Sequence, residues 1–84
     1  MENKERINID IEKLDKNLKA LEEIKKTENI QFNDKIDEII ESAINYRDDS
    51  KYYLKKKEEF IALDAIAYAH GLIDALRMIY GIYE

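Results

Sequence analysis

The sequence predicts an all-α fold, an antiparallel three-helix bundle that occupies residues 1–84 as a single domain. The chain has no proline and only two glycines, so few of its residues interrupt a helix. Apolar residues recur at intervals of three and four along three successive segments, which is the spacing of one helical face. Because 45% of the residues are hydrophobic, the chain can form one small core.

Helix 1 is predicted over about residues 4–26. Its apolar residues form one narrow stripe, which consists of Ile7, Ile11, Leu14, Leu18 and Leu21. Lys25 and Lys26 lie in the last turn, where positive charge is favourable at the negative end of the helix dipole. A narrow stripe is typical of a helix that packs on one side only.

Helix 2 is predicted over about residues 33–57. Asn33 is the expected N-cap, because its side chain can accept a hydrogen bond from a free amide of the first turn. Asp34 and Asp37 follow it, where negative charge is favourable. The apolar stripe of this helix consists of Phe32, Ile36, Ile39, Ala43, Tyr46, Ser50 and Tyr53.

Helix 3 is predicted over about residues 59–80, after a tight turn near residue 57 or 58. The turn is expected where the order of charges reverses, since lysines suit the end of one helix and glutamates suit the start of the next. The helix has a broad apolar arc, made of Ile61, Ala62, Ala65, Ile66, Ala69, Leu72, Ile73, Leu76, Ile79 and Tyr80. We therefore expect helix 3 to contact both other helices and to be the most buried.

The C-terminal half contains the segment "YRDDSKYYLKKKEEFIALDAIAYAHGLIDAL", which carries a family resemblance. The residues that carry it are Tyr46, Asp49, Tyr53, Leu54, Phe60, Tyr68, Ala69, Gly71, Leu72, Asp74 and Ala75. On these residues the chain resembles the archaeal family catalogued as domain of unknown function 357, which implies a three-helix bundle and an archaeal, cytoplasmic setting. Members of that family usually have glycine in the last turn, where this chain has Lys57 and Glu58. The resemblance implies no particular chemistry.

A run of small residues on helix 3 is the main candidate for a partner interface. Ala67, Gly71 and Ala75 are four residues apart, with Phe60 and Met78 alongside them. Glycine inside a helix costs about 1 kcal/mol relative to alanine, so its presence suggests that another backbone approaches closely. We expect a second copy of the chain to bind there and form a homodimer. The alternative is that helices 1 and 2 wrap helix 3 more fully and themselves cover this run.

His70, Asp74 and Arg77 are a weaker candidate for a ligand site. Their spacing of four and three places them on one edge of helix 3. Asp74 could orient His70 while Arg77 binds a carboxylate or phosphate. The alternative is a solvated helix edge with ion pairs along the helix. The sequence predicts no catalytic residue, cofactor or metal site, because one histidine without cysteine lacks the ligands that zinc requires.

Two further groups of residues could bind a ligand or could simply be solvated. Six tyrosines, together with Asp49, Asp64 and Asp74, could frame a pocket for a small cationic or ring-bearing ligand, or could form the rim of the core. The only basic cluster consists of Lys51, Lys55, Lys56 and Lys57. It could hold RNA or an acidic partner, or it could be a helix end favoured by its dipole.

Charge and composition limit the function classes. The net charge of −5 disfavours nucleic-acid binding over the whole surface, and charged residues within residues 60–82 disfavour a membrane span. The charged N-terminus is unlike a signal peptide, which agrees with a cytoplasmic location. The leading hypothesis is a non-enzymatic interaction module that self-associates through helix 3. The alternatives are a nucleic-acid-associated or nucleotidyltransferase-helper module resembling the HEPN group, and a small-ligand-binding protein or enzyme that uses the histidine edge.

Overall fold

The computed structural model describes residues 2–27 and 33–81 and contains three helices. Helix α1 is Glu2–Thr27, α2 is Asp34–Lys55 and α3 is Glu59–Ile79, which confirms the predicted all-α three-helix fold. Asn33 is the N-cap of α2, because its side-chain oxygen accepts a hydrogen bond of 2.9 Å from the amide of Ile36. Phe32, which was expected to begin the apolar stripe of α2, lies outside the described residues.

The core is formed mainly by α1 and α3. In the described ranges its eleven buried hydrophobic residues are Ile7, Ile11, Leu14, Leu21, Ala43, Ala62, Ala65, Ile66, Ala69, Ile73 and Leu76. Within the described ranges, α3 has six buried residues against two on α2, which confirms that α3 lies deepest. The predicted arc of α3 is wrong for Ile61 and Ile79, which are 47% and 68% exposed. Ile61 lies in the first turn of α3, and Ile79 is its last residue.

The turn between α2 and α3 lies where the charges reverse, as predicted. Lys57 has a φ of 63°, a left-handed conformation that favours glycine. The amide of Glu58 donates to the carbonyl of Tyr53 at 2.9 Å, and the amide of Lys57 donates to the carbonyl of Leu54 at 3.1 Å. These two bonds form a Schellman motif, which closes the end of α2. Lys57 therefore occupies the position for which a glycine is best suited.

Helix α3 packs closely against α2 in the antiparallel direction. The buried Ser50 hydroxyl donates a hydrogen bond of 2.7 Å to the carbonyl of Ala62, twelve residues later. Ala43 on α2 and Ala69 on α3 are also fully buried, and their side chains are as small as that of Ser50. Small side chains along both helices allow their backbones to approach, so the two helices form the most extensive contact of the bundle.

Helices α1 and α2 contact each other only lightly. Their polar link is an ion pair in which Arg47 Nη1 lies 2.8 Å from Asp15 Oδ1. Burial alone lowers the pKa of Arg47, but hydrogen bonds and charge from Asp15 and Asp48 outweigh this effect and leave the pKa raised. The bundle is consequently flattened, with extents of 41 × 25 × 16 Å. In this arrangement α3 contacts both α1 and α2, and one side of α3 is left exposed.

None of the helices, over the residues that the structure describes, is both long enough and apolar enough to cross a membrane.

Candidate functional site

The outer face of α3 is exposed along the whole helix. It consists of the five predicted interface residues, Phe60, Ala67, Gly71, Ala75 and Met78. Phe60 is 79% exposed at one end and Met78 is 69% exposed at the other, and the small residues lie between them. Of the eight large hydrophobic side chains that are exposed in the described residues, five are on α3. The exposed apolar surface is therefore concentrated on this helix.

Gly71 lies in open space at the centre of this face. In the described part of the chain, a Cβ atom added at Gly71 would meet no heavy atom of another helix within 4 Å. The alternative that α1 and α2 wrap α3 more fully is therefore wrong at this position. Packing within the monomer does not explain the glycine, because alanine would fit there and would favour the helix.

His70, Asp74 and Arg77 do not form a single site. The half-buried His70 donates from Nε2 to the backbone carbonyl of Asp10 at 2.7 Å, which ties α3 to α1. Asp74 accepts from Arg77 Nη1 at 3.1 Å, one turn further along α3. The ring of His70 is thus held by the backbone of α1. This geometry corresponds to a structural link beside an ion pair along the helix.

A groove between α2 and α3 brings tyrosines and aspartates together. We call it the tyrosine groove, and its lining consists of Tyr46, Asp49, Tyr53, Ile61, Asp64, Ala65 and Tyr68. Its volume is about 410 Å³, within the range of about 300–1,000 Å³ that is usual for ligand pockets. The rings of Tyr46 and Tyr68 meet edge to face, with centroids 4.6 Å apart and an interplanar angle of 77°.

A second and larger cleft lies at the end of the bundle where α2 ends and α3 begins. We call it the lysine cleft, with a volume of about 820 Å³ and a lining of Lys4, Asn8, Lys51, Leu54, Lys55, Lys57 and Glu59. Three lysines of the predicted basic cluster line it. Lys56 does not, because its ammonium lies 5.5 Å from the ring centroid of Tyr52. Lys4 comes from α1 and could not be assigned to the cluster from sequence spacing.

In the described ranges, no three histidine, aspartate or glutamate side chains lie close enough together to hold a metal ion. The candidate surfaces are therefore the outer face of α3, the tyrosine groove and the lysine cleft. Each is a candidate binding surface, and the side chains on it suit recognition of an apolar, a cationic and an anionic partner respectively.

Comparison with known protein families identifies the family of this chain. The model of a family described as "Protein of unknown function (DUF357)" matches residues 10–82, from the first third of α1 to beyond the end of α3. No curated protein matches the chain.

Proposed function

We propose that this chain, which belongs to the DUF357 family, is a non-enzymatic interaction module that forms a homodimer through the outer face of α3. The observation that carries the proposal is the open position of Gly71 between exposed apolar side chains. A helix with a broad apolar surface is normally covered over most of that surface. Here α1 and α2 cover one side of α3, and a second chain would cover the other.

The distribution of side-chain sizes on this face supports a second copy as the partner. Phe60 and Met78 each lie nine residues from Ala69, or about 14 Å along the helix, on opposite sides of it. Ala67 and Gly71 are each two residues from the same point. When two α3 helices pair antiparallel about Ala69, Phe60 of each copy meets Met78 of the other, and the small residues meet at the crossing. A two-fold interface requires such self-complementarity.

The adjacent flank of α3 has almost the same symmetry, with its centre one residue, or about 1.5 Å, along the helix from Ala69. Ile61 and Ile79 are each nine residues from His70. These are the two residues that the helical pattern placed in the core and that the structure leaves exposed. Antiparallel pairing would bring Ile61 of one copy to Ile79 of the other and would remove both from water. Sulfur–aromatic contact between Met78 and Phe60 adds a further favourable interaction at each end.

The test is the solution mass of the wild type and of Gly71→Leu, measured by light scattering over a range of protein concentrations. We expect the wild type to reach the mass of a dimer as its concentration rises. Gly71→Leu should need a concentration at least about tenfold higher than the wild type to reach that mass. The leucine would hold the two backbones apart. It does not disturb the monomer, because the space around Gly71 is open and leucine is a better helix former.

Asn45→Leu is the matched control. Asn45 is exposed on α2, away from the outer face of α3, so the same leucine there should leave the mass of the dimer unchanged. A wild type that stays monomeric at high concentration would overturn the proposal. Equal dissociation constants for wild type and Gly71→Leu would overturn the placement of the interface.

The lysine cleft supports a second candidate function, which is binding of an anionic polymer such as RNA. Four lysines, from α1, α2 and the turn, converge on one cleft in a chain whose net charge is −5. A gel shift with mixed RNA at physiological salt tests this candidate. We expect a shift that the variant Lys51→Gln with Lys55→Gln loses, and the absence of any shift would remove the candidate.

A further inference from the structure

We propose that the tyrosine groove binds a small organic cation that carries an alkylated ammonium group. This is a ligand site of a different chemical class from the apolar dimer face. It requires three things of the groove: aromatic faces or edges that a cation can approach, negative charge that no ion pair of the described residues neutralises, and space. The structure provides each of them.

The aromatic lining is arranged around the groove on both helices. Tyr46 and Tyr53 come from α2, seven residues apart, and Tyr68 comes from α3. The edge-to-face contact of Tyr46 and Tyr68 joins a ring of α2 to a ring of α3. The face of a tyrosine ring is electronegative, so it attracts an ammonium group, most strongly when that group has shed its water. Alkylated ammonium groups shed water easily because their nitrogen bears few or no hydrogens.

The two carboxylates of the groove are held at the same level on opposite sides. The bond between Ser50 and Ala62 and the contact between Tyr46 and Tyr68 fix the antiparallel register of α2 and α3. That register places Asp49 opposite Asp64. In the described part of the chain neither aspartate takes part in an ion pair. Two like charges facing across a groove repel each other, and a cation between them removes the repulsion.

The chemistry of the lining favours an organic cation over a metal ion. Hard metal ions take six or more oxygen ligands, whereas the groove offers two carboxylates among apolar and aromatic side chains. Ile61 and Ala65 form an apolar floor that suits methyl or methylene groups. An alkylated ammonium cation matches both halves of this surface, since it is positively charged and its surface is apolar.

Choline is a suitable probe, and its binding can be followed by the NMR signals of the tyrosine rings. We expect the ring signals of Tyr46, Tyr53 and Tyr68 to shift and to saturate as choline is added, at constant ionic strength maintained with sodium chloride. Dimethylbutanol, the neutral analogue in which carbon replaces the nitrogen of choline, should bind at least about tenfold more weakly. Comparable binding of the two probes would overturn the proposal, because it would show an apolar pocket without preference for a cation.

Matched variants locate the site. Asp49→Asn and Tyr68→Leu should each weaken choline binding by about threefold to tenfold, whereas Tyr68→Phe, which keeps the aromatic ring, should retain most of it. Asp37→Asn removes the same charge from the exposed first turn of α2 and should leave the affinity unchanged. Circular dichroism verifies that each variant is folded. Equal affinities for Asp49→Asn and Asp37→Asn, or no saturable shift in the wild type, would contradict the proposal.

The groove adjoins the proposed dimer interface through Ile61, which lines the groove and also lies on the flank that pairs with Ile79 of the second copy. Asp49 and Tyr46 lie on α2, outside the outer face of α3, and Gly71 does not line the groove. All seven lining residues belong to one chain, so Gly71→Leu, kept at a concentration at which it is monomeric, should still bind choline. Loss of choline binding in that variant would show that the groove is completed only by the second copy.

Discussion

At the scale of single residues, the turn between α2 and α3 contains the most unusual backbone of the described chain. Lys57 adopts a φ of 63°, and for a residue with a Cβ this conformation costs about 1–2 kcal/mol. The hydrogen bonds of Lys57 and Glu58 to the end of α2 maintain it. The lysine side chain meanwhile lines the lysine cleft. Position 57 thus combines a strained backbone with a charge that faces a candidate binding surface.

We predict that Lys57→Gly raises the free energy of unfolding by about 1 kcal/mol, because glycine adopts the left-handed conformation without a steric cost. Chemical denaturation followed by circular dichroism measures the change. Lys56→Gly is the control, since Lys56 has a right-handed φ of −77° and glycine there should stabilise nothing. A Lys57→Gly variant that is less stable than the wild type would show that the lysine side chain stabilises the turn.

Single residues also mark the limit of what the sequence could predict about the candidate sites. Local spacing correctly placed His70, Asp74 and Arg77 on one edge of a helix. It could not reveal that His70 would bond to the backbone of Asp10, because sixty residues separate them and their contact depends on the packing of α1 against α3. The sequence also could not assign Lys4 to the lysine cleft, because Lys4 lies on α1 and reaches the cleft only through the packing of the helices. Contacts between distant segments are not encoded in the period of either helix.

At the scale of the helices, local patterns were sufficient for most of the architecture. Periodicity gave three helices, the cap at Asn33 marked the start of α2, and the reversal of charge located the turn at Lys57. The same periodicity failed for Ile61 and Ile79, which lie on the apolar arc and are nevertheless exposed. An apolar arc indicates how much surface a helix can bury, whereas the number and direction of its neighbours determine how much it does bury.

Of the three helix pairs, α1 and α2 have the smallest contact, and the ion pair of Arg47 with Asp15 links them. We predict that a double-mutant cycle of Arg47→Met and Asp15→Asn gives a coupling free energy of about 0.5–1 kcal/mol, because Arg47 is only 22% exposed. The control cycle uses Lys35 and Glu38, which are 85% and 67% exposed and 3.6 Å apart, and should give a coupling near zero. Equal couplings in the two cycles would show that the link between α1 and α2 is no stronger than a surface pair.

The pH dependence of this link follows from the direction of the shift in the pKa of Arg47. Folding raises that pKa, so the stabilisation by the arginine is fully present below its unfolded value and is lost as the pH rises through its folded value. Both values are strongly alkaline. The charge on Arg47 therefore contributes throughout the neutral range, and the arginine should not make stability sensitive to pH there.

At the scale of the whole molecule, the flattened shape of the bundle explains why the outer face of α3 is exposed. Because α1 and α2 contact each other only lightly on one side of α3, they leave its other side open. A triangular bundle of the same helices would enclose α3 more fully. The chain also carries a net charge of −5, so two copies repel each other, and apolar contact has to outweigh that repulsion for a dimer to form.

Self-association should make thermal stability depend on protein concentration, because a dimer that dissociates on unfolding is stabilised by mass action. A tenfold rise in concentration contributes about 1.4 kcal/mol per dimer, or about 0.7 kcal/mol per chain. For a domain of this size we therefore predict a rise in Tm of about 3–5 °C per tenfold increase in wild-type concentration. The measurement is a series of thermal melts by circular dichroism from micromolar to millimolar protein.

Gly71→Leu provides the internal comparison for this series. Its Tm should begin to rise only at concentrations at least about tenfold higher than for the wild type, and at the lowest concentration it should equal or exceed the Tm of the wild type, because the substitution improves the helix of the monomer while weakening close pairing. The two curves should therefore cross, with the wild type less stable when dilute and more stable when concentrated. Parallel, flat curves would mean that the exposed face of α3 is covered by no second copy, and that Gly71 reflects only relaxed selection at a solvated position.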